Sequence, residues 1–206
     1  MLDTTNPCNG YKETTVSSNS GGGGSSLNLS LQVELPGKKA IPSDLKDYCQ
    51  KYCGSELDWR WMIALAWVES KWNFRAVNKG TGARGWFQFM PRTDWYTYQE
   101  RYQKGPQTKK AVEMFKAAME TGRKGGLQSE VDQCLFAAIS HNAGPTAASK
   151  LLKAGNKTIS DMNRALFNSY AQGEGYKDVT AQNKEKAQFA IKVQKSYNDI
   201  CANNQK

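Results

Sequence analysis

A mainly helical domain is the fold class that the sequence predicts for everything after about residue 41. Two observations point to it. Trp59 to Trp72 is apolar nearly all round, as a buried central helix should be. Beyond it, Ser, Asp, Pro and Gly stand at intervals that match helix starts and stops.

The elements follow in order. Residues 1–36 read as an arm dominated by Thr, Ser, Asn and Gly, in which Gly21 to Gly24 followed by Ser25-Ser26 makes a flexible tether. Leu27 to Leu35 alternates apolar and polar residues with strand periodicity, so this stretch is suited to pairing, a partner chain being one candidate. Residues 37–206 are expected to form the domain. Pro42-Ser43-Asp44 opens a helix through about Cys53, with Ser43 as its N-cap, and Asp58 caps the next, Trp59 to about Trp72. Residues 73–91 carry Gly80, Gly82, Gly85 and Pro91 and predict a loop or short hairpin. Helices follow at roughly 93–103, 107–121, 129–142, 145–154, 160–171 and 181–202. Ser129 and Ser160 start two of them, Pro145 occupies a first turn, and Gly122 and Gly155 follow two C-termini.

Composition narrows the function. The 206 residues are 39% hydrophobic, enough for a core, and no run reaches the roughly 18 apolar residues of a membrane span. Formal charge is +9, from 28 basic against 19 acidic side chains, which attracts polyanions such as nucleic acid, anionic membrane or bacterial wall. The basic residues are scattered, and no nucleic-acid-binding motif accompanies them, so nucleic acid is not an expected partner. Met1 to Thr5 has neither the basic start nor the apolar stretch of a secretory signal. The expected routes to the target are therefore processing of a longer chain or delivery by a device such as a phage particle. Of five cysteines, Cys8 lies in the arm, while Cys49, Cys53, Cys134 and Cys201 fall in the domain. Two bridges, a four-cysteine zinc site and buried free thiols all remain open for them.

Three places carry chemistry. Glu69 lies near the end of the most apolar helix, where burial of a carboxyl favours its protonated, proton-donating form; an outward-facing helix end is the plainer alternative. Gly82-Ala83-Arg84-Gly85-Trp86-Phe87-Gln88-Phe89-Met90-Pro91 combines glycines that let a backbone approach a ligand, aromatic faces that stack on sugars, and an amide that both donates and accepts. It reads equally as a turn with core aromatics. Ser140-His141-Asn142-Ala143-Gly144-Pro145 ends a helix, with Asn142 on the apolar face, where it must find a partner or line a cleft. A capping turn is its plainer alternative.

Taken together, these segments resemble the lysozyme-like lytic transglycosylases. Glu69-Ser70 is similar to that family's Glu-Ser motif, Gly85-Trp86-Phe87-Gln88 to its Gly-Leu-Met-Gln, and Ser140 to Gly144 to its Ala-Tyr-Asn-Ala-Gly. The wider Gly-Trp-Phe-Gln-Phe form is similar to phage versions. The resemblance covers about residues 43–200. It implies a mainly α, lysozyme-like fold with a small hairpin or loop beside the substrate cleft. The substrate would be the glycan strand of peptidoglycan, cut between N-acetylmuramic acid and N-acetylglucosamine with formation of a 1,6-anhydro ring. Glu69 would be the catalytic acid and base. Ser70 and Gln88 would hold Glu69 or substrate, Asn142 would contact a sugar acetamide or the glutamate, and Trp86 and Phe87 would shape the sugar-binding wall. His141 is placed with these substrate-binding residues. No metal or organic cofactor is implied.

The sequence departs from the family twice. His141 stands where a tyrosine is commoner. Glu185-Lys186-Ala187-Gln188-Phe189-Ala190 looks like the family's Glu-x-x-x-Tyr-Val run with Phe189 in the tyrosine's place, which removes one hydrogen bond to the glutamate unless Tyr170, Tyr176 or Tyr197 supplies it. Two rivals stand beside the transglycosylase: a water-using lysozyme on the same fold, for which Asp94 is the nearest second carboxylate, and a non-catalytic wall-binding module. The expected setting is a phage virion or tail acting in the periplasm or cell wall, with a conjugation or secretion-system component as the alternative. In either, the arm would join the enzyme to its machine.

Overall fold

A computed structural model describes residues 33–91, 100–156, 158–159, 161–162 and 179–203. Among them are α1 (Ser43–Cys53), α2 (Trp59–Ser70), a short 3-10 turn (Glu100–Tyr102), α3 (Lys104–Lys124), α4 (Glu130–Ala143), α5 (Pro145–Lys153) and α6 (Val179–Asn203). The extended pairing among them is limited to two isolated antiparallel bridges, Val77 with Arg84 and Arg84 with Phe89. The mainly α architecture with a small loop structure therefore stands as expected. Among the described residues, no helix is long and apolar enough to cross a membrane.

The centre is α2. Every side chain from Trp61 to Trp67 is buried, which is why the sequence there shows no polar stripe. Asp58 caps its start, accepting from Arg60 N at 3.0 Å, a contact of the kind worth about 1 kcal/mol. The α6 helix packs along it, with Trp61 and Tyr197 stacked at 4.0 Å between ring centroids. α4 in turn packs on α3 and α6.

Several boundaries differ from expectation. Ser43 is the first residue of α1 and makes no capping bond; Pro42 precedes it, and the Asp44 carboxylate accepts from Leu45 N instead. α3 starts before Pro106, because a proline in the first turn removes only an N–H that has no helical partner. Gly122 does not stop that helix. It lies buried within it, where a Cβ would come within 3.0 Å of Phe136 and 3.1 Å of Leu127, so it serves the close approach of α4. Ser129 caps α4 as expected, accepting from Asp132 N at 3.0 Å. Asp94, Tyr170, Tyr176, Ser160, Cys8 and the tether lie outside the described residues, as do most of the expected helices at 93–103 and 160–171.

Cys49, Cys53 and Cys134 are buried free thiols, so the two bridges considered for the domain do not form. Cys201 is disulfide-bonded. Among the described residues, no group of three or more His, Cys, Asp or Glu side chains could hold a metal.

Candidate active site

The end of α2 and the loop after it are built as one unit. The Ser70 hydroxyl lies 3.0 Å from both the Ala66 and the Trp86 carbonyl oxygens. Lys71 and Trp72 then take left-handed conformations, φ +54° and +62°, which reverse the chain directly after Glu69-Ser70. Two consecutive non-glycine residues there are strained. Indole hydrogen bonds hold the reversal in place: Trp72 Nε1 donates to Ile63 O at 2.9 Å, and Trp86 Nε1 donates to Trp72 O at 3.0 Å.

The loop itself is closed by its backbone. Arg84 and Phe89 exchange two hydrogen bonds of 3.1 Å across Gly85 to Gln88. Gly85, at φ +81°, packs so tightly that a Cβ would lie 2.1 Å from Gln107 Nε2. No side chain fits there. Gln88, also left-handed at φ +48°, turns its amide back to donate to Gly85 O at 2.9 Å.

A cleft of about 540 Å³ opens over this unit. Glu69, Gln88, His141 and Asn142 line it together, from α2, the loop and the end of α4. The three separate sequence segments thus converge on one cavity. Glu69 is mostly buried, its side chain 15% exposed, and its Oε1 lies 3.2 Å from His141 Nε2. His141 Nε2 also lies 3.0 Å from the Phe87 carbonyl oxygen. Asn142 Oδ1 is buried without a hydrogen-bond partner, which leaves an acceptor for a ligand.

Other expected residues go elsewhere. Trp86 and Phe87 do not form a sugar wall: they are 1% and 0% exposed, and neither lines the cleft. In a loop this short, alternate side chains must either enter the core or face solvent, and the burial of two large rings outweighs ligand stacking. Ser70 joins α2 to the loop rather than lining the cleft. The apolar wall comes instead from Val33, Val68, Met90 and Phe189. Phe189 does line the cleft that holds Glu69, but Tyr197 cannot replace a hydroxyl there. Its OH donates to Asp58 at 2.7 Å, at the opposite end of α2. Eleven helical residues, roughly 16 Å, separate the two positions.

Sequence reasoning missed Glu34, Lys71, Asn78 and Lys192 in the cleft. The signal for Lys71 was its place beside Ser70. Glu34 had none, because it arrives from the expected arm. Trp67 Nε1 donates to Glu34 O at 2.8 Å, and the exposed Glu34 carboxylate pairs with Lys71 at 3.4 Å. The expected boundary at residue 36 therefore falls within a segment docked on α2.

The family model for the Transglycosylase SLT domain matches residues 49–158, more than half of the 206-residue chain. A comparison with curated proteins gives no match. The matched span contains Glu69, the glycine loop and the end of α4, the three segments that meet at the cleft. The chain belongs to the SLT transglycosylases, the peptidoglycan lytic enzymes of the lysozyme superfamily.

Proposed function

We propose that this enzyme cuts the bond between N-acetylmuramic acid and N-acetylglucosamine without water, with Glu69 as its single acid and base. One observation carries the reading: Glu69 is a mostly buried carboxyl lining a cleft whose other described acidic residue, Glu34, is exposed and paired with Lys71. Glu69 first gives its proton to the glycosidic oxygen, which leaves as an alcohol. The resulting carboxylate then takes the proton from the muramic C6 hydroxyl as that oxygen attacks the anomeric carbon. The product is a 1,6-anhydro ring, and Glu69 ends protonated as it began. Asn142 Oδ1 suits the N–H of a sugar acetamide, and Gln88 lines the same cleft.

A water-using lysozyme is the second reading, favoured by the presence of Glu34 on the cleft. Digestion of purified peptidoglycan separates the two by product mass. Anhydro ends, about one water lighter than reducing ends, are expected from the wild type and from Glu34→Gln, with none from Glu69→Gln. Reducing ends that vanish in Glu34→Gln would move the function to hydrolysis. No soluble product from folded wild-type protein would favour a wall-binding module instead.

The setting we infer is local opening of the wall by a phage virion or tail, acting from the periplasmic or wall side. A conjugation or secretion machine is the alternative. The Gly/Ser-rich composition of residues 1–32, a tether upstream of the domain, supports both.

A further inference from the structure

His141 has no obvious duty at the end of α4. The cap there is made by the backbone, Gly144 N donating to Ser140 O at 3.0 Å, so the imidazole is free of that role. It is 11% exposed, and its ring packs against Phe89 with centroids 6.0 Å apart. Its Nε2 faces two oxygens at once, Phe87 O at 3.0 Å and Glu69 Oε1 at 3.2 Å.

Those two distances fix the chemistry. A carbonyl oxygen can only accept, so Nε2 must carry a hydrogen. The same nitrogen lies 3.2 Å from Glu69 Oε1, so the polarised N–H edge of the ring faces the carboxyl while its hydrogen bond runs to Phe87. The Phe87 carbonyl is a rigid anchor, since Phe87 is 0% exposed and its loop is closed on either side by the Arg84–Phe89 pair. The imidazole is thus held from behind, and the direction of its N–H is set before Glu69 is considered.

We propose that His141 is a positioning residue for Glu69, its Nε2–H bonded to the Phe87 carbonyl and the same polarised ring edge held against the catalytic carboxyl. The assignment rests on Glu69 being the acid and base. While Glu69 is protonated, the hydrogen bond to the Phe87 carbonyl dominates. When Glu69 has given its proton away, the carboxylate is attracted to the same polarised ring edge 3.2 Å away. The imidazole keeps its proton throughout and need not move. Holding Oε1 in this way leaves Oε2 as the oxygen that exchanges a proton with substrate.

The test compares wild type, His141→Phe and His141→Gln on purified peptidoglycan, after circular dichroism and Tm show that each is folded. Phe keeps the ring and loses the N–H; Gln keeps an N–H at similar reach. His141→Phe should lower kcat about tenfold or more with unchanged half-saturation, as expected when a reacting group loses its orientation. His141→Gln should stay within about threefold of wild type. If His141→Phe does not fold, His141→Asn takes its place, because its shorter amide cannot reach Glu69 from the same backbone. Three results would overturn the proposal: full kcat in the donor-less variant, a rise in half-saturation alone, or equal loss in Phe and Gln variants that are both folded. An inactive wild type would be a different failure, that of Glu69 chemistry itself, and the proposal would fall with it.

Discussion

The Ser70 hydroxyl reaches the Trp86 carbonyl oxygen at 3.0 Å, and this contact joins the last turn of α2 to the glycine loop. Glu69 and Gln88, on either side of the joint, both face the cleft. Ser70→Ala should therefore cost only about 1 kcal/mol of stability. It should reduce turnover several-fold, because the loop loses its tie to the residue beside Glu69. Thermal denaturation and muropeptide release, measured on the same preparation, check both halves.

Gly85→Ala should be among the most damaging single changes in the loop. The added Cβ meets Gln107 at 2.1 Å, and the backbone is left-handed at φ +81°. The two effects together should cost about 2–4 kcal/mol. Adding Gln107→Ala should recover part of that loss, since it removes the clash but not the backbone strain. A urea denaturation series over the single and double variants gives the comparison.

Tyr197→Phe should separate stability from chemistry. The lost hydroxyl leaves Asp58 with a weaker set of partners, at a cost of about 1–2 kcal/mol, while cleavage should be unchanged. Phe189→Tyr should do the reverse, altering kcat with little effect on Tm, because its ring lines the cleft. Equal kcat losses from the two substitutions would contradict the separate placement of these aromatic positions.

Alkaline pH should expose the buried thiols. Burial pushes Cys53 from its ordinary value of 9.0 up to about 12, with Lys116 working against the rise and Asp58 adding to it. Its raised folded value means that its stabilising contribution is complete below pH 9.0, where the unfolded thiol is also neutral, and is lost as pH climbs toward 12. At pH 10 the loss should be about 1.4 kcal/mol for this one group. Cys53→Ala should show a correspondingly shallower fall in stability between pH 8 and 10, read from urea midpoints.

Much of the fold was legible because local signals agreed with tertiary demands. The Asp58 cap, the all-apolar α2 and the Ser129 start of α4 each state in sequence what the structure does. That Glu69 and Asn142 line one cleft was legible only from the three motifs taken together, since each residue alone read at least as well as a helix end or a capping turn. The aromatic pair Trp86 and Phe87 was not, since a large ring beside a glycine suits a core and a sugar equally well. Nor was the His141–Glu69 contact, which joins residues 72 positions apart and depends on how α4 meets α2. Glu34 escaped for the same reason: its partners, Trp67 and Lys71, are fixed by docking and not by its own surroundings in sequence.

The segment from Val33 to Gly37 has a mechanical meaning. Its grips are the Glu34 carbonyl on Trp67, the Glu34 carboxylate on Lys71 and the Gly37 amide on Asp199. Among the described residues, these three contacts hold the segment to α2, its reversal and α6. Two of them flank Glu69 within two residues along α2 and its reversal. Anchorage of the incoming chain and placement of Glu69 thereby depend on the same turn of helix.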